Sequence, residues 1–164
     1  QSQPAAARAA VERAARIAPH QPRAWSTLAF VDMAQFDAQR ARAHFEQALH
    51  LAPDDITGLH GLGWACVLQE DLPGAAAAFE RAIGADPTWG ESHGSLAVVL
   101  ALQGDGQRAR AEVEQARKLQ PGCMSARQAE ALLTGQTQRL HGLDKLAQQM
   151  LGGLGAARRP PRKP

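Results

Sequence analysis

Residues able to do chemistry are present in this chain, but not at spacings that would let them work together. Histidines stand at 20, 44, 50, 60, 93 and 141, and the two cysteines are Cys66 and Cys123. A zinc site needs three or four such ligands converging on one point. His60 and His93 are the nearest to a matched pair, yet they fall one residue out of phase with each other and so point differently. Cys66 sits inside an apolar helical pattern and Cys123 follows a proline; neither belongs to a knuckle or a disulfide framework. The acidic pairs Asp54–Asp55 and Glu70–Asp71 lie at helix boundaries, where a carboxylate ordinarily caps backbone amides. "GLHGLGWAC" (58–66) has the glycine spacing of a phosphate cradle but no strand before it, and that chemistry requires a strand–loop–helix context. The expectation is a non-enzymatic chain with no catalytic residues, no metal and no cofactor.

The elements around these residues are more informative. "HFEQALHLAPDD" (44–55) returns as "AFERAIGADPTW" (78–89) and "EVEQARKLQPGC" (112–123), with a fainter copy, "VERAARIAPHQP", at 11–22. Prolines at 19, 53, 87 and 121 set the interval at 34 residues. In the unit 22–55, Trp25, Leu28, Ala29 and Val31–Met33 recur at helical rather than alternating spacing. Ala41, Phe45, Ala48 and Leu49 make the face of a second helix, which Pro53 ends because proline lacks an amide hydrogen. Asp37, Asp71 and Asp105 share one phase just before each second helix and are placed to cap it. Ala41, Ala75 and Ala109 share another phase. So do Ala14, Ala48, Ala82 and Ala116, and bulky Val11, Phe45, Phe79 and Val113 alternate with them. Small residues let two helices approach and the large one fills the hole. A single such pair cannot bury its own face, so neighbouring units must stack.

This pattern resembles the tetratricopeptide repeat family. The residues that carry the resemblance are Trp25, Leu28, Ala29, Ala41, Phe45, Ala48 and Pro53, then Leu59, Leu62, Gly63, Ala75, Phe79, Ala82 and Pro87. The third set is His93, Leu96, Ala97, Ala109, Val113, Ala116 and Pro121. It implies an all-α, right-handed superhelical solenoid of antiparallel helix pairs. One departure is that the tyrosine usual late in the first helix is Asp32, Cys66 and Leu100 here. The organisation expected is a half repeat with a second helix only (1–21), three repeats (22–55, 56–89, 90–123), a degenerate or capping segment (124–155) and a basic disordered tail (156–164). Ser125 and Gln128 have the spacing of a capping box. Continued by the same period, Leu143, Ala147 and Met150 take the places of Ala109, Val113 and Ala116; a mobile amphipathic helix lying in the groove is the rival reading of this segment.

Bulk composition agrees. At 164 residues the chain can bury a core without disulfides or metals. The net charge of +2 is unevenly placed: Arg158, Arg159, Arg162 and Lys163 account for 4 of the 18 basic groups, leaving 14 against 16 acidic ones in the body. The body is therefore no general polyanion binder, and nucleic acid is not an expected partner. No apolar run reaches transmembrane length. Alanine and arginine bias suits a bacterial protein from a GC-rich genome. A cytoplasmic location is expected, or a periplasmic one if a leader has been removed.

In the family, first helices line a concave face. The corresponding phases here are Arg23, Ser26, Thr27, Phe30, Met33 and Ala34; Thr57, His60, Gly61, Trp64, Val67 and Leu68; and Glu91, Gly94, Ser95, Val98, Ala101 and Leu102. Phe30, Trp64 and Val98 share one phase and are expected to form an apolar strip across the groove. Val67 and Leu102 stay open between groove and core. Ser26, His60 and Glu91 would orient a bound segment. The Lys, Arg and Asn clamp with which some family members hold a C-terminal carboxylate is missing, Arg23 being the lone cation. The function expected is a protein-interaction module taking an apolar peptide or helix of a partner. The rivals are the substrate-selecting repeat domain of a larger enzyme, such as a glycosyltransferase, and a scaffold whose copies join through the open N-terminal helix or the C-terminal helix.

Overall fold

The computed structural model describes residues 3–135, with side chains from Arg8 onward. Eight helices account for this part: α1 (Gln3–Ile17), α2 (Pro22–Ala34), α3 (Ala38–Leu51), α4 (Ile56–Leu68), α5 (Leu72–Ala85), α6 (Gly90–Gln103), α7 (Gly106–Leu119) and α8 (Met124–Leu133). They form an all-α superhelix in which α2 pairs with α3, α4 with α5 and α6 with α7. α1 has the phase of a second helix, and α8 is a first helix whose partner is not among the described residues. The second helix and tail expected over 136–164 lie outside them.

Local chemistry sets the boundaries. Asp37 accepts from the Arg40 amide at 3.0 Å, Asp71 from Gly74 at 2.9 Å and Asp105 from Arg108 at 3.1 Å, so the three in-phase carboxylates cap α3, α5 and α7. The turn before each cap needs one residue in the left-handed region. Phe36 (φ 61°), Glu70 (φ 59°) and Gly104 (φ 87°) occupy that phase, and only the third is the residue that adopts it without strain.

Packing follows the small–large pattern. Ala41, Phe45, Ala75, Phe79, Ala82, Ala109 and Ala116 are fully buried. Gly61 and Gly63 let α4 settle on the Phe45 and Phe79 rings: a methyl on Gly61 would overlap the Phe45 ring, and one on Gly63 would lie 2.5 Å from Phe79 Cζ. One boundary differs from expectation. α8 opens at Met124, so Ser125 lies in its first turn and is buried, and the N-cap is the Cys123 sulfur, accepting from the Ala126 amide at 3.4 Å. The capping box read at Ser125 and Gln128 is therefore not formed. The remaining orphan amides find an acid from another helix.

Candidate functional site

The first helices α2, α4 and α6 carry the residues expected in the groove, and they meet different fates. Arg23 and Thr27 are exposed, the Thr27 hydroxyl donating to the Arg23 carbonyl at 2.7 Å. Phe30 is half-buried, edge-on to Phe45 with ring centroids 5.0 Å apart. Ser26, Met33, His60, Trp64 and Val98 are buried. The hydroxyl of Ser26 has no hydrogen-bond partner.

The strip expected from Phe30, Trp64 and Val98 is therefore not an open surface in this structure. Trp64, 1 % exposed, stands T-shaped on Phe79 at 5.5 Å, and Val98 has no exposure at all. Both belong to the same hydrophobic core as Phe79 and Leu96. The reason is geometric. A phase shared along the solenoid fixes the direction of a side chain, but Phe45 and Phe79 of the second helices also reach that direction, and Phe30 and Trp64 close on them.

His60 shows the same logic one turn earlier. Its ring lies 5.3 Å from Phe79 and 4.4 Å from Trp89, with Nε2 2.9 Å from Ser92 Oγ. It thus packs against the start of the following unit rather than orienting a ligand. Burial pushes its pKa from 6.5 to about 3, so the imidazole is neutral at physiological pH. Gly94, one period on, meets Cys123, Ser125 and Ala126 in the same way.

Glu91, also expected to orient a ligand, is engaged elsewhere. Its two carboxylate oxygens accept from the Met124 and Ser125 amides at 3.0 and 3.4 Å, and Gln120 Nε2 lies at 3.5 Å. An acid from α6 thus caps α8 across the unit boundary, at the end where the helix dipole favours negative charge. The signal was available: Glu91 lies one period before Ser125, so stacking brings it beside the next helix start.

A second polar cluster was signalled only as a departure from the repeat pattern. Asp32, fully buried, receives His44 Nδ1 at 2.6 Å on Oδ2. Arg8 Nη1 stands 2.8 Å from Oδ1, a charge contact rather than an aligned hydrogen bond. Arg8 also reaches Glu12 at 2.8 Å and Gln35 at 2.6 Å, tying α1 to the end of α2. His93 repeats the His–carboxylate contact with Glu112 at 2.7 Å, its Nε2 lying 3.3 Å from the Pro87 carbonyl. With both ring nitrogens occupied, His93 has no free position for proton transfer to a ligand. Burial raises Cys66 to about 11 and Cys123 to about 12, so neither thiol is a ready nucleophile. No cluster of three or more metal-ligating side chains occurs among the described residues, and none of their helices is long and apolar enough to cross a membrane.

Several apolar positions on these helices stay partly accessible, and three of them share another phase. Ala34 is exposed, and Leu68 and Leu102, its equivalents in the next two units, are half-buried, with Phe30 beside the row.

Comparison with known proteins agrees with this geometry. Residues 28–88 match the tetratricopeptide repeat family. The crystal structure of MamA superposes with a TM-score of 0.71 over 89 % of this chain and 83 % of that one, at 19 % sequence identity. That identity speaks for the fold alone. No curated protein matches. Residues 28–88 are thus similar to tetratricopeptide repeats, and the helices around them continue an all-α solenoid of that type.

Proposed function

We propose that this chain is a protein-interaction module that takes an apolar peptide or helix along the row Ala34, Leu68 and Leu102, with Phe30 at one end. The observation that carries this reading is the row itself: apolar side chains, one per unit and in phase, kept partly accessible while Trp64 and Val98 beside them are buried. Equivalent positions of stacked units stand side by side, so the row presents a continuous strip for alternate or helically spaced side chains. Arg23 and Thr27 lie exposed on α2, where they supply polar contacts at the rim. The mechanism is binding alone, with binding energy from desolvation of the strip.

The test is a fluorescence-polarisation screen of the intact protein against labelled amphipathic helical peptides and extended apolar peptides. A peptide that binds should lose at least about tenfold in affinity with Leu68→Glu or Leu102→Glu, the size expected when a contact worth about 1.4 kcal/mol or more is removed. The melting temperature of both variants should stay within a few degrees of the parent. Unchanged affinity in both variants would place binding on another surface.

A further inference from the structure

Two further rows follow Ala34, Leu68 and Leu102 along the same edge of the solenoid. Gln35, Gln69 and Gln103 come next in their units, and all three are exposed. After them stand Phe36, Glu70 and Gly104, each in the left-handed region. Leu68, Gln69 and Glu70 belong to the middle unit, with α2 and α3 on one side and α6 and α7 on the other, so neither end of the chain bears on their exposure.

The spacing of the row limits what can lie along it. His60 on α4 reaches Ser92 on α6 at 2.9 Å, so neighbouring first helices touch. Helices in contact stand about 8–10 Å apart, and the row therefore offers one apolar position at about that interval. A β-strand returns a side chain to the same face about every 7 Å, which falls short. A polyproline-II chain does so about every 9 Å, at each third residue. Two turns of α-helix rise about 11 Å, close to the upper limit.

The glutamines separate these two. A helix pairs its own backbone, whereas polyproline II has no internal hydrogen bonds and leaves its amides and carbonyls free. A glutamine amide presents a donor and an acceptor together, matching such a backbone. Gln69 is already oriented, its Nε2 donating to the Ala38 and Ala65 carbonyls at 3.2 and 3.1 Å. Its Oε1 has no partner among the described residues. Gln35 accepts from Arg8 at 2.6 Å on Oε1, which leaves its Nε2 to donate. Gln103 makes no hydrogen bond among the described residues.

Glu70 adds a charge. It holds φ 59° where glycine would be unstrained, and its exposed carboxylate has no ion-pair partner among the described residues. Arg42 is committed to Asp71 at 2.7 Å and to Glu46 at 3.0 Å. Strain kept at a residue that makes no contact within the fold points to a role outside it. The first helices also end along this edge, and the C-terminal end of a helix dipole favours cations.

We propose that the occupant of the row is an extended polyproline-II peptide, apolar at every third residue, with Lys or Arg between. Its apolar side chains enter the row, the glutamines bond its backbone and Glu70 pairs with its cation. This rests on the reading of the row as the binding strip and narrows the partner to one conformation and one sign of charge. Proline suits such a partner because its fixed φ lowers the entropy lost on binding.

The test is fluorescence polarisation of the intact protein with two labelled probes, a peptide of repeated Leu-Pro-Arg triplets and an amphipathic helix of Leu, Ala and Arg. The triplet peptide should bind the more tightly. Leu68→Ser or Leu102→Ser should weaken it about tenfold, and Gln103→Ala about threefold or more. Glu70→Gln, which keeps the backbone and removes the charge, should weaken it about two- to fivefold at low salt and less at high salt. Gln103 and Glu70 make no contact within the fold, so their variants should melt with the parent. Helix binding equal to or tighter than that of the triplet peptide, and lost with Leu68→Ser, would overturn this proposal and leave the binding strip standing. So would triplet binding that Leu68→Ser weakens but Gln103→Ala and Glu70→Gln do not. Triplet binding that neither leucine variant weakens, or no binding of either probe, would overturn both.

Discussion

Acid should weaken this fold through His60 in particular. The imidazole is enclosed by Phe79, Trp89 and Ser92, and burial lowers its pKa from 6.5 to about 3. In the unfolded chain it takes up a proton as the pH falls through 6.5; in the folded chain it stays neutral until far lower. Below the unfolded value the unfolded state binds more protons, so stability drops as pH falls from 6.5 toward 3. Linkage with these two values removes about 2 kcal/mol at pH 5 and about 3 kcal/mol at pH 4. For a chain of this size that is roughly 4–8 °C in melting temperature at pH 5. The assay is urea or thermal unfolding at pH 7, 6, 5 and 4 for the parent and for His60→Gln, which keeps a hydrogen-bonding group near Ser92 and does not titrate. Every other group is common to both proteins, so the difference between the two pH profiles isolates position 60 whatever the variant's own stability at neutral pH. Parallel profiles would refute the reasoning and show that His60 is hydrated in the folded state.

Trp64→Ala should destabilise the fold by about 3–5 kcal/mol, as removal of a fully buried aromatic does, and a melting temperature within a few degrees of the parent would return Trp64 to the surface. Glu70→Gly should raise stability by about 0.5 kcal/mol, relief of the left-handed strain at φ 59° outweighing the added freedom of the unfolded chain, as chemical denaturation would register; a loss would mean the Glu70 side chain contributes more than its backbone costs. Asp71→Ala removes the cap on Gly74 and the 2.7 Å contact with Arg42, for a loss of about 1 kcal/mol at neutral pH. The Gly74 amide first, then Arg42, hold the Asp71 carboxyl below its usual range. Its contribution is therefore present above the ordinary carboxylate pKa and lost as pH falls through the lower folded value. Stability curves of parent and variant should run parallel from pH 7 to 5 and converge below about pH 4; a constant gap would show that the carboxylate's charge contributes nothing.

The period of the chain determined its architecture without help. Alanines, bulky residues and prolines recurring every 34 residues specify helix pairs that must stack, because local propensity, helix termination and the small–large packing code agree in every unit. The caps at Asp37, Asp71 and Asp105 were legible for the same reason, since a cap acts within three residues of itself. Groove and core were not separable in this way. Phase gives the direction in which Trp64 or Val98 points, whereas burial depends on how far away the neighbouring helix stands, and that distance is set jointly by Gly61, Gly63 and the phenylalanines they receive. Only the tertiary structure could turn Glu91 from a ligand-orienting residue into the cap of α8, or join Asp32 to Arg8 and His44 from two other helices. Those contacts are long-range. Stacking brings the start of α8 beside Glu91 of the previous unit, and the packing of α2 against α1 and α3 brings Arg8 and His44 to Asp32, relations of position in space that no local pattern carries.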